Sequence, residues 1–119
     1  KDKKNIIRFV YTYSAALAFR GHPECDSLFS VNRFQSRFYD AEGRPVNHDP
    51  TQLLRTQDLP SIYEENSCLY VFTKSSFAAT SARIGKKPWL FATPRLASVD
   101  IDDEETWRMA EAIWRQGQP

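Results

Sequence analysis

The residues best suited to chemistry lie near the end of the chain, in Ser98-Val-Asp-Ile-Asp-Asp-Glu-Glu105. If Ser98 to Asp102 is extended, Asp100 and Asp102 point to one side, with Cα atoms ~6.5 to 7 Å apart, close enough to share one hard cation. Two carboxylates completed by substrate phosphate oxygens are a common way to hold Mg²⁺, which keeps several of its waters. The same acids could instead serve the helix that follows. Asp102 as N-cap, with Glu105 three residues on, has the form of a capping box, and acids suit a helix N-terminus electrostatically. Both readings stay open on the residues alone.

Other polar candidates are more scattered. Arg55-Thr-Gln-Asp58 offers a fork-shaped cation and an amide in Arg55 and Gln57, both able to bind carboxylate or phosphate oxygens, or simply to be solvated in a loop. Asn66 stands at the start of an apolar run, where it could face a cleft or turn the chain. His48-Asp49-Pro50 has no Ser or Cys nucleophile motif near it, so a structural role is the expectation. Lys86-Lys87, after Gly85, could meet a phosphate or sit in a solvated turn.

Several functions are disfavoured by composition. Lys plus Arg number 16 against 15 Asp plus Glu, and a net charge of +1 supplies no field of the kind nucleic-acid and membrane-surface binders use. No segment approaches the ~20 apolar residues of a membrane span. Cys25 and Cys68 form no C-x-x-C pair, and with 2 His no zinc set is expected; a reducing, cytoplasmic setting is. The 4 glycines are too widely spaced for a phosphate-cradling loop. Any nucleotide must find its main cradle outside this sequence.

The elements that would position these residues read as α/β, in a single domain over 1–119. Asn5 to Tyr13 has strand propensity, and Ser14 to Arg20 forms a short helix closed by Gly21 and Pro23. Ser27 to Arg33 is a strand, and Phe34, Ser36 and Phe38 continue a period of two into a hairpin at Asp40-Ala-Glu-Gly43. A polar excursion, 34–67, carries Pro50 and Pro60 and leads to Cys68-Leu-Tyr-Val-Phe72, a run typical of a strand buried on both faces. So long an excursion is expected to pack on a second subunit or over a site. A short helix over Ser75 to Ala82, strands over Pro88 to Ala92 and Ser98 to Ile101, and a helix over Asp103 to Arg115 complete the expectation. In that helix Trp107, Ala110, Ile113 and Trp114 share one apolar face.

Taken together, Cys25-Asp-Ser-Leu-Phe-Ser-Val31, Val46-Asn-His-Asp-Pro50, Arg55-Thr-Gln-Asp-Leu-Pro60, Ile62-Tyr-Glu-Glu-Asn-Ser67, Arg83-Ile-Gly85 and Ser98-Val-Asp-Ile-Asp102 resemble, in order and spacing, the acylneuraminate cytidylyltransferase family. The resemblance implies a Rossmann-like nucleotidyltransferase fold with a projecting hairpin arm and a homodimer through residues 34–60. It implies attack of a nonulosonic, sialic-acid-like sugar on the α-phosphate of Mg-CTP. It also implies that Asp100 and Asp102 are Mg²⁺ ligands, that Asn66 contacts the sugar, and that Arg55 and Gln57 line the substrate side. The family's opening strand and glycine-rich CTP loop have no counterpart here, and Arg83 and Ile84 stand near where the sialic acid enzymes place two aromatics. The expectation is therefore the C-terminal portion of a CMP-sugar synthetase, inactive alone, or else a non-catalytic dimeric module derived from that family.

Overall fold

The computed structural model describes residues 3–117. Three helices and a three-stranded sheet make a mixed α/β fold, in the order α1 (Lys3–Gly21), β1 (Ser27–Phe34), β2 (Ile62–Phe72), α2 (Lys74–Thr80), β3 (Pro88–Ala92) and α3 (Glu104–Gln116). β1 is central, antiparallel to β2 and parallel to β3. It carries most of the buried residues: Leu28 and Val31 among the apolar ones, Ser27, Ser30 and Asn32 among the polar ones.

α1 corrects the expectation of a strand over 5–13. The helix favoured by Ser14 to Arg20 continues back through that segment to Lys3. Once a helix is nucleated, each further residue adds a hydrogen bond, and the penalty for β-branched and aromatic residues is well below about 1 kcal/mol each. α1 ends at Gly21 and packs on β1 and β2, with Ala15 fully buried. His22, just beyond it, stacks on Trp89 of β3 with ring centroids 3.6 Å apart.

β2 is also longer than the apolar run Cys68 to Phe72. It begins at Ile62, and because it forms an edge of the sheet, Cys68 and Phe72 are exposed rather than buried on both faces. α2 is capped by Thr73, whose hydroxyl accepts from the Ser76 amide at 3.0 Å, and closed by Ser81 in the left-handed region. No strand forms over Ser98 to Ile101. Pro94 leads instead into a 3-10 turn over Arg95–Ala97, and the Ser98 amide donates back to Arg95 O at 3.2 Å. The cap of α3 is Asp103, not Asp102. Asp103 Oδ1 accepts from the Thr106 amide at 2.8 Å, and Thr106 Oγ1 accepts from the Asp103 amide at 3.1 Å, so the box closes on Thr106 and not Glu105. The Thr106 amide, and then the Thr106 hydroxyl donating to Oδ1 at 2.9 Å, hold the Asp103 carboxyl below its ordinary range.

The segment between β1 and β2 contains the expected turn. Asp40 N donates to Arg44 O at 3.0 Å, Tyr39 and Pro45 form one antiparallel bridge, and Gly43 adopts φ 77°, which favours glycine. Asn47 ties the excursion together, donating to Ser36 O at 2.8 Å and to Pro60 O at 3.2 Å. His48 packs edge-on against Tyr39.

β1 and β3 are locked at one end by Asp26. Its carboxylate accepts from the amides of Lys86 at 2.8 Å and Lys87 at 3.0 Å and from the Ser27 hydroxyl at 3.0 Å, while Gly85 N donates to Ser27 Oγ at 2.8 Å. Desolvation raises the carboxyl's pKa, but the Lys87, Lys86 and Ser27 hydrogen bonds prevail and hold it below the ordinary value. Gly85 is required for this approach: a Cβ there would lie 2.3 Å from Asp26 Oδ1 and 2.4 Å from Ser76 Oγ. The carboxylate is fixed by its donors and cannot swing aside. Gly85→Ala is expected to cost about 1–3 kcal/mol, lowering the melting temperature by several degrees in a circular-dichroism melt.

Candidate functional site

The feature that shapes the site is an interruption of the β1–β2 ladder. Phe29 pairs with Tyr70 and Val31 with Glu65, so the residues from Asn66 to Leu69 bulge opposite the single residue Ser30. Bulges kink a strand and re-aim side chains, and they recur beside functional sites. Ser67 accommodates the kink with φ 56°, in the left-handed region that non-glycine residues seldom occupy.

Ser30 is fully buried and closes the gap. Its hydroxyl donates to Asn66 Oδ1 at 2.6 Å and accepts from the Leu69 amide at 2.8 Å. The Asn66 amide group donates to Thr93 Oγ1 at 2.8 Å, just past β3, and to Asn32 Oδ1 at 3.1 Å. Asn66 Oδ1 also accepts from the Cys68 amide at 3.3 Å. Asn32 Oδ1 accepts a second bond, from Ser98 Oγ at 2.6 Å, and Asn32 Nδ2 donates to Glu64 Oε2 at 2.9 Å. Six polar side chains from β1, β2, the end of β3 and the turn before α3 thus form one network beneath the bulge.

Over this network lies a cleft of about 580 Å³, within the range of small-molecule sites. The bulge (Asn66 to Leu69) forms one wall, and Ala97 to Asp100 the other, with Thr93 between them and Tyr11 and Thr12 of α1 at the side. An adjoining lobe reaches Asn32, Glu64, Arg95, Asp102 and Met109. Arg95 lies over the Phe34 ring at 4.5 Å. At the back of the bulge, Tyr70 donates its hydroxyl proton to Glu65 and packs under Arg83, whose guanidinium carbon is 4.1 Å from the ring centre.

The structure therefore brings Asn66 and Asp100 to one cleft, with Asp102 on the adjoining lobe. It does not bring Arg55 or Gln57 there. Arg55 pairs with Asp58 at 2.8 Å in the excursion, and the Gln57 carbonyl accepts from Gln35 at 2.6 Å. Asp100 Oδ1 accepts from the Ile101 amide at 3.0 Å, and neither Asp100 nor Asp102 forms an ion pair among the described residues. Among those residues no three His, Cys, Asp or Glu side chains converge as a metal set, so a cation here would depend on oxygens from a ligand. Lys86 and Lys87 contribute their backbone amides to Asp26.

Ser30, Asn32, Thr93 and Ser98 were not singled out as site residues from the sequence. Small polar residues within a strand pattern are a weak signal, and only the bulge shows that they converge. The Asn66 amide is itself saturated, with two donated and two accepted bonds inside the protein. A ligand that engages it must replace one of those partners.

The strained position gives a direct check. Ser67→Gly is expected to be tolerated, whereas Ser67→Val places a β-branched side chain at positive φ and should cost about 2 kcal/mol more in denaturant unfolding. No family model matches this chain, and no curated protein does either.

Proposed function

We propose that this chain is the sugar-side portion of a CMP-sugar synthetase of the acylneuraminate cytidylyltransferase type, with a Rossmann-like parent fold. The observation that supports this reading most is the cleft in which Asn66, on a strained bulge, faces the segment bearing Asp100. Asn66 belongs to one of the motifs on which the resemblance rests and Ser98, two residues before Asp100, to another, and both donate to Asn32 Oδ1.

In this reading a nonulosonic acid lies in the cleft, and one of its oxygens takes the place of Thr93 Oγ1 as acceptor of an Asn66 amide hydrogen. Asp100 and Asp102 would hold Mg²⁺ jointly with phosphate oxygens of CTP; the metal supplies charge neutralisation at the phosphates. The chain's own contribution is to fix the sugar's position, which governs the rate of a displacement catalysed by alignment. The widely spaced glycines leave this sequence without a phosphate cradle, so the chain by itself does not align the α-phosphate. Purified chain mixed with Mg-CTP and a panel of nonulosonic acids should release no pyrophosphate, and robust CMP-sugar formation would refute this account. Millimolar N-acetylneuraminic acid, or another acid of the panel, should shift the amide resonances of Asn66, Ser67 and Thr93 but not in Asn66→Ala. Absence of any shift across the panel would remove the sugar from the cleft.

The proposal extends to a homodimer held by residues 34–60. The accessible surface is 9294 Å², against about 6,600 Å² for a compact monomer of this mass. In the excursion Tyr39, Val46, Leu53 and Leu54 are all exposed, Leu53 at 97%. A two-fold arrangement would lay each arm, with Arg55 and Gln57, against the partner's sheet. The same surface supports the second reading, a non-catalytic dimeric module. Light scattering at micromolar concentration should give twice 13.8 kDa, reverting to monomer in Phe38→Asp. A monodisperse monomer of the unaltered chain would exclude the dimer.

A further inference from the structure

We propose that Asn32 is the positioning residue of the cleft: through Asn66 on one side and Ser98 on the other it holds the two walls at a fixed separation. The walls come from distant parts of the chain, the bulge of β2 and the turn that precedes α3. Neither belongs to a continuous ladder where it borders the cleft. The bulge has left its register with β1, and Ala97 to Asp100 forms no strand. Asn32 is bonded to both, at 3.1 Å to Asn66 Nδ2 and 2.6 Å to Ser98 Oγ.

Three features make this side chain a spacer and not one bond among many. It stands on the central strand, paired with Glu64 in the β1–β2 ladder, so its own backbone is fixed. Its amide nitrogen is committed to Glu64 Oε2, which sets the rotation of the group and aims both lone pairs of Oδ1 at the walls. It is also 8% exposed, and Ser98 7%, so water cannot readily substitute for either bond. A buried amide oxygen shared by two donors transmits a displacement of one to the other. If the Ser98 turn moves, the acceptor loses a partner and the Asn66 bond tightens or turns. The bulge, already strained at Ser67, has little ladder to resist the change.

The functional consequence rests on the reading that an acidic sugar binds between these walls. A ligand held by the bulge and the Asp100 segment at once requires their separation to be set before binding, because ordering loose walls subtracts from affinity. Asn32 does not touch the ligand in this account. It acts through Asn66 and Ser98.

The coupling can be read without any ligand from the thiol of Cys68, which lies in the bulge and is exposed. In a Cys25→Ser background, the rate at which Cys68 reacts with a disulfide reagent reports how far the bulge has loosened. Ser98→Ala alters only the far wall, yet it should raise this rate about threefold to fivefold, a coupling of the size found within one hydrogen-bond network. Asn32→Ala should raise it at least as much, and Ser98→Ala should add nothing further in that background. Hydrogen exchange of the Leu69 amide, bonded to Ser30, should follow the same pattern. Val31→Ala, chosen to lower the melting temperature comparably without touching the network, should leave the Cys68 rate unchanged. If Ser98→Ala leaves the thiol rate unaltered, or its effect simply adds to that of Asn32→Ala, or Val31→Ala reproduces it, the proposal is overturned. Should Asn32→Ala fail to fold, Asn32→Ser, which keeps a short acceptor, replaces it in the cycle, with a partial loss of coupling expected and none overturning the claim. N-acetylneuraminic acid titrations of the same variants separate the two ideas: non-additive thiol rates without sugar binding keep the spacer and discard the ligand, whereas additive rates discard the spacer even if the sugar binds.

Discussion

The structure depends on the requirement that buried polar groups find partners. Along β1 the buried polar residues Ser27, Ser30 and Asn32 alternate with or adjoin Leu28 and Val31, so the centre of the sheet is as much hydrogen-bonded as it is apolar. Apolar packing is tolerant of sliding, but a buried hydroxyl or amide is stable only where its partner stands. Each of these side chains therefore selects a particular piece of distant chain. Ser27 takes the Gly85 amide, Ser30 the bulge, and Asn32 the bulge and Ser98 together. The cleft follows from these choices, since its walls are the segments that the strand's polar groups recruit.

The apolar side is correspondingly thin. Among residues 11–117, Ala15, Leu28, Val31 and Leu59 are the buried hydrophobic ones, while Trp107, Met109 and Trp114 of α3 are each about half exposed. The radius of gyration, 17.3 Å, exceeds the ~13.5 Å expected of a compact domain of this length. A partner that covers the exposed apolar surface fits this thinness, as a second copy does in the proposed dimer.

Much of the arrangement was legible in the sequence, and the failures share a cause. β1, α2, β3 and α3 lie where propensity and period place them, because each is decided by its own residues. The turn at Asp40 to Arg44 was legible from Gly43. By contrast α1 overrode the strand propensity of residues 5–13, since helix extension depends on a neighbour. The expected strand at Ser98 to Ile101 gave way to a turn stabilised by the Ser98 amide's bond to Arg95 O and its hydroxyl's bond to Asn32, the second of which is 66 residues away. The capping box shifted by one residue because Thr106 can return a hydroxyl bond to Asp103, a service that acidic patterning does not reveal. Of the site, Asn66 and Asp100 were legible as candidates, but Asn32, Ser30 and Ser98 were not, because a serine or asparagine in a strand carries no periodic signature of its partner.

The position of Pro88 has a consequence for how the sheet meets other strands. Lys87 accepts from Asp26 and Thr93 donates to Val31, so alternate residues of β3 turn their backbones toward β1, and Pro88, Leu90 and Ala92 turn theirs outward. Pro88 has no N–H, which leaves Leu90 and Ala92 as the outward donors of the strand. A single short complementary segment can satisfy them, but a long ladder cannot begin there. The open edge thus admits one neighbour while resisting the repeated stacking that seeds fibrils.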